Sequence, residues 1–439
     1  VKRSARGVRD SAGRAAKWMV PGMGVKRWFF VLILCVLIVP VGFMYFAWTG
    51  PLDFVGTRVI LWLSSLRLPD GVPTWTLGTL AMIVGVVGAM SSVVMLNRSL
   101  LRSVGTEPDV AVEHIYVRRA LARGPKIVAL GGGTGLSNLL SGLKQYTSNI
   151  TAVVTVSDDG GSSGRLRQAL GMIAPGDLTD CYAALSDSPV LARLLLHRFE
   201  RGEGISGHTF GNLMLATLSE EQGGLANAMT DVHEVLRVRG RVYPSTPVST
   251  TLVAHLEGGE TVRGESRLHV ERAGRRVERM SLDPPNAGAL PEVIAAIEHA
   301  DLVVIGPGSL FTSLIPAVLV PDVAAALRRT SARVVYVANI MSEPGETDGI
   351  DLEGHERLLA EHLGRTADWV LVNASPVTVG VRERYAQAGA HLLSPRGVSA
   401  NFRQRVRLAS LLREHSGQHD PEMLAAALLR LLAREGRSQ

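Results

Sequence analysis

The stretch 126–156 limits what this 439-residue chain can fold into more than any other. An apolar run over 126–130 stops at Gly131, Gly132 and Gly133, helical periodicity follows over 136–144, and a second apolar run covers 151–156. Strand, glycine turn, helix and strand in that order make a βαβ unit, whose strands lie parallel with a right-handed crossover. The same rhythm returns downstream and predicts a helix over 290–300, a strand over 302–305, a helix over 323–329, a strand over 334–337, a helix over 355–363 and a strand over 369–372. Further helices are predicted over 115–122, 189–199, 212–219 and 225–236. Between these blocks, 250–279 alternates apolar and polar residues around Gly258-Gly259, the pattern of an antiparallel pair or small β insertion. The tail over 404–435 reads as helical, split near 416–420. The class is therefore α/β: a parallel sheet flanked by helices, with an antiparallel insertion near 248–280.

The first hundred residues carry a different signal. The runs 29–48 and 72–96 hold no charged residue, and each is long enough to cross a hydrocarbon layer of about 30 Å as a helix. Trp28, Trp48, Trp62 and Trp75 stand at or near their ends, where amphipathic rings favour an interface. The first run is too long for the apolar core of a signal peptide, and no small-x-small site follows it. Residues 1–27 contain eight Lys or Arg and one Asp, a net of +7, so the remainder of a chain with net charge +6 sums to about −1. The expectation is a transmembrane hairpin over 28–97 in the cell membrane, with both termini and the main domain cytoplasmic because the basic flanks stay inside. A linker over 98–123 leads to the main domain at 124–400, and 401–439 forms the C-terminal tail. Confining the positive charge to one tail, with only 5% aromatic residues, argues against nucleic-acid binding. Cys35 and Cys181 show no pairing or zinc spacing, as in a reducing compartment.

The suggestive loops follow predicted strands, where open α/β sheets bind ligands. Gly132, Gly133, Thr134 and Gly135 can bring backbone amides and a helix N-terminus to a phosphate, or form a tight structural turn. The loop lacks the Gly-Lys-Ser/Thr of a Walker A site. Next come Asp158 and Asp159, then Gly160 and Gly161, Ser162 and Ser163, Gly164 and Arg165. The two acids could hold Mg²⁺ or ribose hydroxyls, and the serines and arginine could bind phosphate, or the segment could be an Asx turn and helix cap. Of the acids, Asp158 is the one expected to face the ligand and Asp159 the one expected to fix the glycine turn. Asp177 could add a metal oxygen or cap a helix. His208 and Asn212 share a helix face at its start. Gly306, Gly308, Ser309 and Thr312 form a second anion cradle, and Asn339 ends a strand where its amide could read a base or sugar. Mg²⁺ is the metal that Asp158, Asp159 and Asp177 could hold, and the sequence points to no other cofactor.

Taken in order, these motifs resemble one family. GGGTGLS at 131–137, VTVSDDGGSSGRLR at 154–167, PGD at 175–177, GHTFGNL at 207–213, GRVYPST at 240–246, GES at 264–266, ADLVVIGPGSLFTSLIP at 300–316 and PGET at 344–347 are similar to the YvcK/CofD-like proteins, and to their bacterial gluconeogenesis-factor branch more than to the 2-phospho-L-lactate transferases. The resemblance implies a Rossmann-like domain that binds a UDP-sugar such as UDP-N-acetylglucosamine and regulates cell-envelope precursor metabolism and cell shape during gluconeogenic growth. It also leaves open an enzyme, a Mg²⁺-dependent transferase of the phospholactate or nucleotidyl type. By position, Gly132, Gly133 and Thr134 would meet the diphosphate, and Asn212, Gly306, Gly308, Ser309 and Thr312 would line the cleft. The expected partners are the nucleotide ligand, the membrane, a cell-envelope enzyme or regulator, and a second copy of the chain. Leu178-Thr179-Asp180 replaces the family's Ile-Arg-Asn, Phe311 its Tyr and Ala317 its Asn.

Overall fold

A computed structural model describes residues 117–272, 274–413 and 416–435, and before them 34, 57–58, 61–62, 65, 83–91 and 93. The chain divides into two units, Val1–Arg119 and Ala120–Gln439.

The second unit is built on the predicted βαβ start. Strand β1 (Ile127–Gly131) leads through the glycine turn into helix α1 (Gly133–Leu143) and then into β2 (Ile150–Val154). The chain continues through α2 (Gly161–Leu170), α3 (Gly176–Leu185), α4 (Pro189–Leu196), α5 (Phe210–Glu221) and α6 (Leu225–Leu236) to β3 (Arg241–Pro244). The insertion follows as β4 (Thr251–Leu256), β5 (Thr261–Arg263), α7 (Glu265–Glu271) and β6 (Val277–Asp283). The alternating rhythm resumes with α8 (Pro291–Glu298) and β7 (Leu302–Ile305). A single π turn (Leu310–Leu314) runs into α9 (Ile315–Leu319) and α10 (Pro321–Arg329). Then come β8 (Arg333–Val337), α11 (Leu352–Leu363), β9 (Trp369–Asn373), α12 (Val379–Gln387), α13 (Ala400–Arg405), β10 (Val406–Ala409) and α14 (Pro421–Glu435).

Seven strands pair in the order β10-β9-β8-β7-β1-β2-β3, all parallel. A parallel sheet covered on both faces needs strands that are apolar throughout, and β1 (IVALG) and β7 (LVVI) are buried at every position. Three further strands form the antiparallel sheet β5-β4-β6, turned by Gly258-Gly259 as expected. From β1 the chain moves to β2 and β3 on one side, and later to β7 on the other. The gap between β1 and β7 is therefore the topological switch point, where the ends of two loops diverge and leave a crevice.

Two expectations are corrected. The stretch from 401 is not wholly helical, because Val406–Ala409 pairs with Val370–Asn373 and adds the seventh strand. A four-residue apolar run fits strand or helix equally well, and only the exposed edge of β9 decides it. The multi-pass membrane placement does not stand either. Among the described residues no single helix is long and apolar enough to cross a membrane. An uncharged run supplies hydrophobicity, but crossing also needs one unbroken helix of about 20 residues. Residues 83–91 are helical, and most of 29–48 and 72–96 lies outside the described residues, as does Cys35. The apolar pieces Leu310–Leu319 and Pro321–Arg329 are bent 79° apart and packed into the core of the fold.

Candidate functional site

The glycine turn after β1 is compressed between two neighbours. A Cβ at Gly132 would collide with the Asp177 carboxylate and lie 2.6 Å from Thr155 Cγ2, and one at Gly135 would strike the Pro307 backbone. Gly133 has φ +58° in otherwise open space, 3.8 Å from Asp177 Oδ1. Only glycine meets both demands, close approach and left-handed backbone. Helix α1 begins here without a side-chain cap. Asp177 accepts the Gly133 amide, and the amides that follow it and the positive end of the dipole are left to an anion.

These amides open into a cavity of about 410 Å³ between the loops after β1, β7 and β8. Gly132–Gly135 and Asn138 form one wall, and Pro307, Gly308, Ser309 and Asn339–Pro344 another. Tyr385 and Gly417–His419 form a third. Its Gly417–His419 part comes from beyond the expected domain limit at 400, and the whole wall was missed by sequence reading. The turn residue Gly417 and the His419-Asp420 pair before Pro421 were the only local signals. The wall is held by α1: Asn138 Nδ2 donates to the His419 carbonyl at 2.6 Å, and Arg413 donates to Asn138 Oδ1 at 3.2 Å.

The second expected cradle is already filled by the protein. Glu346 is buried, and its Oε1 accepts the amides of Phe311 at 2.8 Å and Thr312 at 3.2 Å as well as the Ser309 hydroxyl. Glu343 accepts from Asn339 Nδ2 at 3.2 Å and lies 3.4 Å from the Leu310 amide. Burial and the Glu346 charge push the Glu343 carboxyl up to about 8. A helix N-terminus that expects an anion thus receives carboxylates from the loop after β8. Asn339 is equally committed, accepting from the Gly308 amide and donating to the Gly308 carbonyl. Ser309 and Asn339 still line the cavity, whereas Thr312 is buried behind Glu346 and does not. Gly306 has φ +85°, with the Val337 carbonyl 3.0 Å from its would-be Cβ, and serves the backbone turn.

The remaining candidates form a separate polar cluster that meets the glycine turn through Asp177. Asn212 accepts from Thr179 at 2.8 Å and donates to Ser162 at 3.4 Å. Arg165 donates to His208 Nε2 at 3.4 Å and to the Ser206 carbonyl, and Arg198 donates to the Gly207 carbonyl. Burial, followed by the charges of Arg165 and Arg198, lowers the His208 pKa, consistent with a neutral ring that accepts from Arg165. His208 Nδ1 has no partner among the described residues.

The adjacent acids diverge. Asp158 accepts the Gly160 amide at 2.8 Å, with Ser163 as a further donor, and so fixes the turn expected of Asp159. Asp159 reaches instead to the Ser266 amide, also at 2.8 Å, and holds the start of α7. Asp158, Asp159 and Asp177 thus serve different backbone partners, the Gly160, Ser266 and Gly133 amides. Among the described residues no three His, Cys, Asp or Glu side chains are grouped to hold a metal ion, so Asp158, Asp159 and Asp177 do not form a three-carboxylate set there. Burial, with Asp180 and Asp158 nearby, raises Asp177 to about 7. Glu265, at the first position of α7, is raised well above the carboxylate range by burial and by the charges of Asp158 and Asp177. Its Oε2 has no partner among the described residues. Sequence reading quoted the GES motif but assigned Glu265 no role. The insertion that carries it is tied to the loop after β8 through the buried Arg272, which donates to the Gly345 and Glu346 carbonyls and pairs with Asp348.

With this geometry in place, the chain can be set beside known proteins. The family described as 2-phospho-L-lactate transferase CofD matches residues 127–407. A Deinococcus radiodurans protein named "Putative gluconeogenesis factor" is 55% identical over 420 residues, which is 96% of this chain and 90% of that one. A Bacillus subtilis protein named "Gluconeogenesis factor" is 43% identical over 268 residues, covering 61% and 84%. The Deinococcus match therefore takes in most of the residues before Ala120. A crystal structure of a Bacillus halodurans protein superposes with a TM-score of 0.66 at 39% identity, over 70% of this chain and 100% of that one.

Proposed function

We propose, from the premise that this chain belongs to the CofD family and to its gluconeogenesis-factor branch, that the cavity at the β1–β7 switch point binds a nucleoside diphosphate sugar of the UDP-N-acetylglucosamine type. On this reading the protein is a ligand-responsive regulator of cell-envelope precursor metabolism and cell shape. One observation carries it: of the two helix starts expected to cradle an anion, the one after β7 is filled by Glu346 and Glu343, while at α1 Asp177 takes the Gly133 amide and the rest of the helix start opens into the cavity. The diphosphate lies against Gly132–Gly135, where the amides beyond Gly133 and the helix dipole favour negative charge. The sugar and base occupy the space toward Asn339 and the 417–419 wall. Such a cavity falls within the usual range for small ligands, about 300–1,000 Å³.

A transferase is the second reading. Asp177 at the glycine turn and the buried Glu265 nearby favour it, since burial and neighbouring carboxylates raise the pKa of both, Asp177 to about 7, as general acids and bases require. Calorimetry of the full chain with UDP-N-acetylglucosamine, with and without Mg²⁺, followed by chromatography of the recovered nucleotide, separates the two. Saturable binding with the ligand recovered intact is expected. Conversion of the ligand would favour the transferase, and an absence of binding under both conditions would overturn the nucleotide-sugar reading.

A further inference from the structure

Another cavity lies at the opposite end of the sheet. It measures about 320 Å³ and sits among the amino ends of β1, β2 and β3, with Ala296 and His299 of α8 along one side. Strand β1 is five residues long, so about 17 Å of strand separates this end from the glycine turn. The register of the strands builds the floor. Val128 pairs with Thr151, and Thr151 pairs with Arg241. Side chains alternate along a strand and residues paired across parallel strands share a face, so Arg241 stands beside Thr151 on one face of the sheet. Lys126, two residues before Val128, stands on the same face.

The lining is cationic. Lys126 and Arg241 both belong to it, both are exposed, and neither has an ion pair among the described residues. No Asp or Glu is among its lining residues; Asp301, which accepts the Lys126 amide at 2.7 Å, is not one of them. Arg241 is held in place, because Nη1 donates to the hydroxyl of the buried Tyr243 at 3.2 Å. Its remaining guanidinium N–H groups have no partner among the described residues. The backbone beneath is fixed as well. A Cβ at Gly240, where φ is +98°, would come within 2.5 Å of the Ile150 carbonyl oxygen, and Asn149 Nδ2 donates to the Ala122 and Gly124 carbonyls at 3.0 and 2.7 Å. A planar fork with free N–H groups, an ammonium group and the hydroxyls of Ser148 and Thr151 form a donor set suited to phosphate oxygen.

We propose that this cavity is a second ligand site, for a phosphate carried by a small monoester or present as the free ion, and that Arg241 and Lys126 hold it. The proposal is independent of the nucleotide reading, since the two cavities share no lining residue. The volume stands at the lower end of the range for small-ligand sites, about 300–1,000 Å³, and leaves room beside the phosphate for a short carbon chain.

The test is calorimetry of the full chain with inorganic phosphate and with glycerol 3-phosphate at constant ionic strength, for wild type, Arg241→Gln and Lys126→Gln. Saturable binding to wild type is expected. Arg241→Gln should weaken it about tenfold or more, the loss of a charge-assisted pair, and Lys126→Gln should weaken it in the same direction. Tighter binding of glycerol 3-phosphate identifies a monoester as the ligand, and equal affinity identifies the free ion. Because the glycine turn of the first cavity also attracts anions, the place of binding is read separately in wild type. Lys126 and Lys144 are the lysines of residues 120–439; Lys126 is exposed, whereas Lys144 donates to the Ser186 carbonyl. Saturating phosphate should suppress acetylation of Lys126, measured by mass spectrometry, and leave that of Lys144 unchanged. An absence of saturable binding overturns the proposal. Binding that leaves Lys126 acetylation unchanged, or that is as tight in folded Arg241→Gln as in wild type, overturns it too, because the phosphate then sits elsewhere.

Discussion

Asp177 shows how one residue can link fold and site. It stands in the first turn of α3, its carboxyl presses on Gly132, and it accepts the Gly133 amide. Burial raises its pKa from 3.8 to about 7. A group whose pKa is raised on folding binds its proton more tightly in the native state, so its stabilising contribution is full below about pH 4 and is lost as pH rises to about 7. The slope in that window is about 1.4 kcal/mol per pH unit for one proton. The urea midpoint of wild type should therefore fall between pH 5 and 7. Asp177→Asn, which keeps an acceptor for Gly133, should show a flatter profile and be the more stable protein at pH 8. Parallel profiles for the two proteins would show that Asp177 is ionised in the native state. That Asp158 and Asp159 must diverge was legible from their adjacency at a strand end, since successive side chains point to opposite faces. Which one would meet Gly160 and which Ser266 was not, because the second partner lies 107 residues away.

At the scale of elements, the loop after β7 depends on the loop after β8. Glu346 takes the place an external anion would have, bonding the Phe311 and Thr312 amides of the π turn, and Arg272 holds the carbonyls of Gly345 and Glu346. Glu346→Ala would leave the Phe311 amide buried without an acceptor and the Thr312 amide with only the Ser309 hydroxyl at 3.3 Å, at a cost of about 1–3 kcal/mol for such groups. Glu346→Gln retains an oxygen and should cost less. It should also lower the Glu343 pKa, because the Glu346 charge is one of the causes raising it. Denaturant midpoints for both variants check the order, and equal midpoints for wild type and Glu346→Ala would mean that solvent satisfies those amides.

Across the whole second unit, the C-terminal segment is integral to the fold. Strand β10 completes the sheet, and Leu424, Ala425 and Leu428 of α14 are wholly buried. Its start lies so close to α1 that a Cβ at Gly142 would collide with the Pro421 carbonyl. Helix α1 is therefore braced at its back by the tail that also forms the third cavity wall. Leu428→Ala should lower global stability by about 2–5 kcal/mol, as for other fully buried leucines. An unchanged urea midpoint would mean that α14 is a separable appendage.

Local order was within reach of the sequence because it depends on near neighbours. Apolar runs ended by glycine, 3.6-residue periodicity and the Gly258-Gly259 turn placed β1, α1, β2, β7, α6 and the insertion within a few residues of where they lie, and the ordered motifs carried the family resemblance. Tertiary structure decided what depends on distant partners. It brought Pro307 against Gly135, carried Glu346 into a cradle that looked ready for phosphate, turned Asp159 toward α7, and placed His419 beside Asn138. It also overruled the membrane placement, since composition measures hydrophobicity while crossing requires one continuous helix. The physical reason is the same in each case: a glycine turn or a carboxylate states what it can bind, but which group arrives first is settled by competition among all the groups the fold brings within reach.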